Sequence, residues 1–111
     1  MNTTMQIIWP ELKVIKKEVA FKTDPPTLAE LEAVIRPLLD GADMEHVAVL
    51  WDGRRCDMFV DEMGALKKLK RNDYATTIYR NNWLTQHPGT DPESMPAIYG
   101  TAILFADIVW R

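Results

Sequence analysis

The sequence predicts an α+β fold: a single mixed or antiparallel sheet of about five strands, with two helices packed on a face, in the order ββ-α-ββ-α-β. Three observations carry that expectation. Residues 27–39 combine a capping signal with one apolar helical face. Asp52-Gly53 separates two runs rich in β-branched and apolar residues. A late apolar run, residues 97–105, has strand composition and can continue toward Trp110.

The elements follow in order. Residues 5–9 are short and apolar, Pro10 and Glu11 interrupt them, and residues 12–21 resume with β-branched positions. They read as two strands joined by a turn, with Lys13, Lys16 and Lys17 on a solvent face or guarding an edge. Thr23-Asp24-Pro25-Pro26 is a connector. Thr27 then caps a helix, with Glu30 reaching back, and Leu28, Leu31, Ile35, Leu38 and Leu39 share one face. Pro37 lacks a backbone donor and should kink or restart that helix, and Gly41 ends it. Residues 44–51 and 54–60 form a hairpin, because a type I′ turn needs positive φ at both central positions and Asp-Gly supplies it. Residues 61–64 are a second turn, and 65–70 are extended or loop. Asn72 caps a helix from Asp73 to about Trp83, with Ala75, Ile78, Tyr79 and Asn82 on one face. Residues 85–96 hold three prolines and a glycine and read as a loop.

Composition narrows the function classes. A chain of 111 residues, 47% hydrophobic, suits one domain with a core that needs no staple. The net charge of −3 argues against nucleic acid as a partner unless a local patch recruits it. One cysteine, Cys56, permits no internal disulfide and no thiolate zinc site, which fits a reducing cytoplasm. The N-terminal stretch lacks a basic segment followed by a long apolar run, so it does not read as a signal peptide. The apolar run 102–106 stops at Asp107, well short of the roughly 20 residues a bilayer demands, so no membrane role is expected.

The chemistry-bearing candidates are few. Lys67, Lys68, Lys70 and Arg71 precede a helix N-terminus, where unpaired N–H groups favour an anion. Cations there are mildly unfavourable without one, by about 0.3–1 kcal/mol, so a small anionic ligand is the sharper reading and a solvated basic turn the plainer one. Asn72 and Tyr74 complete that candidate ligand site, Asn72 by hydrogen bonding and Tyr74 by stacking on a base. As an alternative, Asn72 serves only as the cap. Trp51, Arg54, Arg80 and Trp83 are candidate contacts for a protein partner, since tryptophan and arginine anchor interfaces. Core closure for the tryptophans and a solvated helix position for Arg80 are the bland alternatives.

On a strand, Arg55, Asp57 and Phe59 share one face and Cys56, Met58 and Val60 the other. Asp57 is thus expected to face away from the apolar set, with an arginine as its partner. His46 and His87 lie far apart, outside any metal-ligand spacing, so no metal is expected. No Walker loop and no dinucleotide-binding glycine pattern occur, so no cofactor is expected. The usual nucleophile–base signatures are missing too, so no catalytic residue is assigned and a non-enzyme is favoured. Catalysis would require Asp57, Asp61 and Glu62 to meet His46 in a cleft.

The run CDMFVDEMGALKKLKRNDYATTIYRNN, followed after a gap by IYGTAILF, resembles a family of small uncharacterised domains of bacteriophages, plasmids and actinobacterial or proteobacterial mobile elements. That family's pattern joins an acidic-Gly turn, a Leu-Pro-x-Asn-like segment, a helix starting near Ala-Thr and a late strand with Gly-Thr or Gly-x-Ala. Asp61, Glu62, Gly64, Leu69, Asn72, Ala75, Thr76, Gly100 and Ala102 carry the likeness, which spans most of the chain. Lys70 stands where the pattern has proline, making this segment more flexible and more cationic. The resemblance implies a genetic setting, with no functional residues to carry over. The resulting expectation is a cytoplasmic accessory protein that binds a host protein, with counter-defence as one outcome and homo-oligomerisation compatible with it. A nucleotide-sequestering protein using residues 67–74 is the alternative.

Overall fold

The computed structural model describes residues 1–110. It holds β1 (Asn2–Ile8), β2 (Val14–Ala20), α1 (Leu28–Ile35) continued by a 3-10 helix (Arg36–Leu39), β3 (Met44–Trp51), β4 (Arg54–Asp61), α2 (Asp73–Gln86), a short 3-10 helix (Pro92–Ser94) and β5 (Ala102–Phe105). The five strands form one sheet in the order β2-β1-β5-β4-β3, and every pairing is antiparallel. The α+β class and the element order agree with the sequence.

Local chemistry explains most boundaries. Thr27 Oγ1 accepts from the Glu30 amide at 3.1 Å, the expected cap. Glu30 reaches back further than a capping box requires: its Oε2 accepts from the Lys22 amide at 2.8 Å and so ties the connector to the helix. At Pro37 the helix restarts as the 3-10 segment, because proline offers no N–H to the α ladder. Asp40 and Gly41, at φ 54° and 79°, then end it. Asp52 and Gly53 have φ 54° and 74°, as the type I′ turn between β3 and β4 demands.

Several features differ from expectation. The helices pack on opposite faces of the sheet. The register puts Met5, Ile7, Phe59, Ile103 and Phe105 on one face, under Leu31, Ile35 and Leu39. The other face holds Ile8, Val49, Cys56, Met58, Val60 and Leu104 under Ala75 and Ile78. β4 is therefore apolar on both sides, and its Cys56–Asp61 stretch is buried without alternation. Leu28, expected on the apolar face, is exposed at the first helical position.

The last strand begins at Ala102 instead of residue 97. Ahead of it the chain is held in a loop: the Asn72 amide donates to Ile98 O, the Ile98 amide donates to Thr76 Oγ1, and Gly100 turns at φ 87°. Gly100 also faces Leu69, whose Cδ1 would lie 2.8 Å from an added Cβ. Gly64 makes a closer approach, since a Cβ there would meet Tyr99 O at 2.6 Å. Beyond Phe105 the chain leaves the sheet and crosses back over the α1 face. Finally, α2 runs three residues past Trp83, with the His87 amide bonded to Trp83 O at 2.8 Å.

Asp57 is the largest correction. It faces neither solvent nor an arginine. It is fully buried, with Oδ1 2.7 Å from His46 Nε2 and Oδ2 accepting from the Val109 and Trp110 amides at 2.8 and 2.9 Å. A carboxylate facing Nε2 fixes the hydrogen on that nitrogen. Trp110 stacks on the His46 ring at 5.2 Å, and both rings lie against Phe59. The C-terminal segment is thus latched to β4 by one side chain from the middle of the sheet.

Candidate functional site: an apolar groove beside the second helix

The residues of the expected ligand segment do not converge. Asn72 is completely buried: Nδ2 donates to Ile8 O and Gly100 O, both at 2.9 Å, while Oδ1 accepts from the Ala75 amide at 3.1 Å. Its polar atoms are committed to tying β1, the turn ahead of β5 and α2 together, which removes it from any ligand site. Arg71 pairs with Asp73 at 3.0 Å, so the helix N-terminus already carries its own carboxylate. Lys67 binds Asp61 Oδ2 at 2.8 Å. Lys68 and Lys70 are exposed. Tyr74 turns away from all of them and packs against Trp51, ring centroids 5.9 Å apart.

Lys67 and Lys70 do share a cleft of about 340 Å³ with Trp9 and Gly100. Glu11, Asp40 and Asp61 line the same cleft, so its two ammonium groups face three carboxylates. Such a cleft has no net attraction for phosphate. A panel of mononucleotides at saturating concentration is accordingly expected to leave the melting temperature unchanged. A ligand held at 100 times its Kd would add about 2.7 kcal/mol, a shift too large to miss, and seeing one would return the anion to this cleft.

The partner candidates divide into two groups. Trp51 and Arg54 are cross-strand neighbours at the β3–β4 turn, and Arg54 donates to Ala106 O at 3.3 Å. Arg80 and Trp83 lie further along α2. Arg80 is mostly covered, donating to Met95 O at 3.0 Å and lying 3.6 Å from Glu93 Oε1, so it serves the 87–96 loop more than a surface. Trp83 is 40% exposed and packs against His87, the rings tilted by 33° with centroids 4.3 Å apart.

What brings Trp51 and Tyr74 together is a groove of about 550 Å³ between the N-terminal half of α2, the end of β3 and the tip of the β1–β2 turn. Trp51, Tyr74, Ile78 and Leu50 supply apolar lining, Leu12 forms part of the wall, and two carboxylates join the lining: Asp73, paired with Arg71, and Asp52. Leu12 is the residue that sequence reasoning missed. It is 70% exposed and has φ 64°. A leucine there pays steric strain of about 1–2 kcal/mol relative to a right-handed conformation, and Asn, Asp or Gly would suit the position better. Sequence reasoning sets it at the start of the second strand, which begins only at Val14; nothing local signals the turn conformation, the exposure or the groove.

The other chemistries gain little. Asp57, Asp61 and Glu62 do not meet: Asp57 lies under the C-terminal segment, Asp61 binds Lys67 and the Met63 amide, and Glu62 is exposed. Asp57 and Asp61 are four residues apart on one strand, roughly 13 Å. Among the described residues no group of three metal-ligating side chains occurs, and no helix is long and apolar enough to cross a membrane. Burial pushes the Cys56 thiol up from its ordinary range, so it packs as a small apolar group.

Fold and groove together define a three-layer α+β protein with one antiparallel sheet between two helices and an acidic-rimmed apolar surface groove. Comparison with protein-family models, with curated proteins and with solved structures finds no match.

Proposed function

We propose that this chain is a non-enzymatic binding protein that docks a segment of a partner protein in the Leu12–Trp51–Tyr74 groove. One observation carries the reading: a leucine held at positive φ and left 70% exposed on the wall of an apolar groove. A strained, uncovered apolar side chain stabilises nothing within its own chain, and strain of this kind concentrates at ligand contacts. The groove's chemistry describes the occupant. Apolar lining calls for an aliphatic or aromatic anchor, and Asp52 calls for a flanking lysine or arginine on the partner. The resemblance to mobile-element domains makes a cytoplasmic host protein the partner of choice, with interference in host defence as the consequence.

A photo-crosslinking amino acid at Thr77, inside the groove, tests this in host lysate. A discrete partner is expected to label from Thr77 and not from Thr85, further along the same helix. Leu12→Asp should weaken capture about tenfold, the effect of losing one buried apolar anchor of roughly 1.4 kcal/mol or more. Aspartate suits positive φ, so the variant should keep or raise the wild-type melting temperature, and the loss can be read as docking. Equal labelling from both positions, or capture indifferent to Leu12→Asp, would sink the reading.

A further inference from the structure

Beyond the groove, we infer that β2 is a self-association edge: two copies join antiparallel through β2 about a two-fold axis at Lys17, making one ten-stranded sheet from two five-stranded ones. β2 ends the sheet and pairs only with β1. Six of its seven residues are exposed and Val19 is half-buried, so neither helix covers it. Val14 and Ile15 stand exposed on opposite faces of the strand. The opposite edge is managed differently: on β3 the Ala48 carbonyl accepts from Asn82 Nδ2 at 3.1 Å. The β2 edge has no comparable side-chain cover, and an uncovered edge is a template for a further strand.

Symmetry then selects the register. In a two-fold antiparallel pair the axis is normal to the sheet, so each residue lies opposite one on its own face. The numbers of opposed residues must therefore sum to an even value. Three registers keep most of β2 paired: those centred on Lys16, Lys17 or Glu18. Centring on Lys16 sets Lys16 against its copy and Val14 against Glu18, with no opposite-charge pair. Centring on Glu18 opposes the two glutamates and sets Lys16 against Ala20. Only the Lys17 register pairs the whole strand, Val14 with Ala20 and Ile15 with Val19 of the second copy. It also places Lys16 opposite Glu18 twice, once on each side of the axis. Its single like-charge contact, Lys17 against its copy, falls on the axis, where both chains are exposed and solvent screens them. The lysines that guard this edge against arbitrary pairing thus leave one register open.

The occupant is a second copy of this chain, and sedimentation equilibrium on the intact protein from low-micromolar to millimolar concentration tests it. A concentration-dependent monomer–dimer equilibrium is expected. Lys16→Glu, or Glu18→Lys, turns both opposite-charge pairs into like-charge ones and should raise the dimer dissociation constant about tenfold or more. The double variant Lys16→Glu/Glu18→Lys restores the pairs and should restore the dimer. Both sites are exposed, and circular dichroism of each variant checks that the monomer stays folded. A monomer at every concentration overturns the inference. So does a dimer indifferent to the charge reversals, or one broken by Leu12→Asp, which would place the contact in the groove.

Discussion

Replacing Asp57 with alanine is expected to destabilise the fold by about 3–5 kcal/mol, the cost of leaving three hydrogen-bond donors without an acceptor at about 1–3 kcal/mol each where they are buried. The carboxylate is the acceptor for three N–H groups at once: His46 Nε2, the Val109 amide and the Trp110 amide. Alanine leaves them facing a protein interior, each without an acceptor. His46 then loses the bond that sets its tautomer, and Trp110 loses its stacking platform. For a chain of 111 residues, such a loss lowers the melting temperature by roughly 13–21 °C. Asn keeps the shape and one acceptor oxygen, so Asp57→Asn should fall between alanine and wild type. Urea unfolding measures the stability, and amide exchange at Val109 and Trp110 shows whether the latch has opened. A change below about 1 kcal/mol, no more than an exposed ion pair contributes, would mean the latch is dispensable.

The second large effect is expected at Asn72. Asn72→Ala removes a helix cap, at about 1 kcal/mol, and strips a donor from two buried carbonyls, Ile8 O and Gly100 O, at about 1–3 kcal/mol more. The total is near 3 kcal/mol. Asn72→Asp is the sharper variant. It retains the capping oxygen toward the Ala75 amide, so a mere cap would tolerate it and aspartate is an excellent cap residue. In this fold it turns a donor into a second acceptor facing two carbonyl oxygens, inside the protein. Asn72→Asp is therefore expected to be the less stable of the two by chemical denaturation. If it matches wild type, the bonds to Ile8 and Gly100 carry no weight and Asn72 is a cap alone.

These two residues mark how far the sequence could be read. Asn72 was legible as a cap because capping is local: the side chain reaches an amide three residues ahead. Its bonds to Ile8 and Gly100 were not, since they join segments 64 and 28 residues away. Thr27, the Pro37 restart and the Asp52-Gly53 turn were legible for the same reason, each depending on a few consecutive backbone angles. Asp57 misled because strand alternation sorts residues into faces without saying which faces are covered. Its companion Phe59 lay on the same face and was the better guide. The run 97–105 read as one strand because apolar composition cannot show that Ile98 is claimed by Asn72 and Thr76.

The candidate site was half legible. Trp51 and Tyr74 stood out singly, one as a partner anchor and one as a stacking surface, but 23 positions part them and no pattern joins them. The cations at 67–71 promised an anion site through their density alone, and their neighbours Asp61 and Asp73 neutralise two of them. From the sequence alone came the class, the order of the elements, their caps and their tight turns, because these rest on propensities and bonds spanning a few residues. Tertiary structure alone decided that the helices lie on opposite faces, that Asp57 latches the C-terminal segment, and that a strained leucine completes a groove with Trp51 and Tyr74. Each of those depends on which distant surfaces exclude water together, a property of packing that no local window contains.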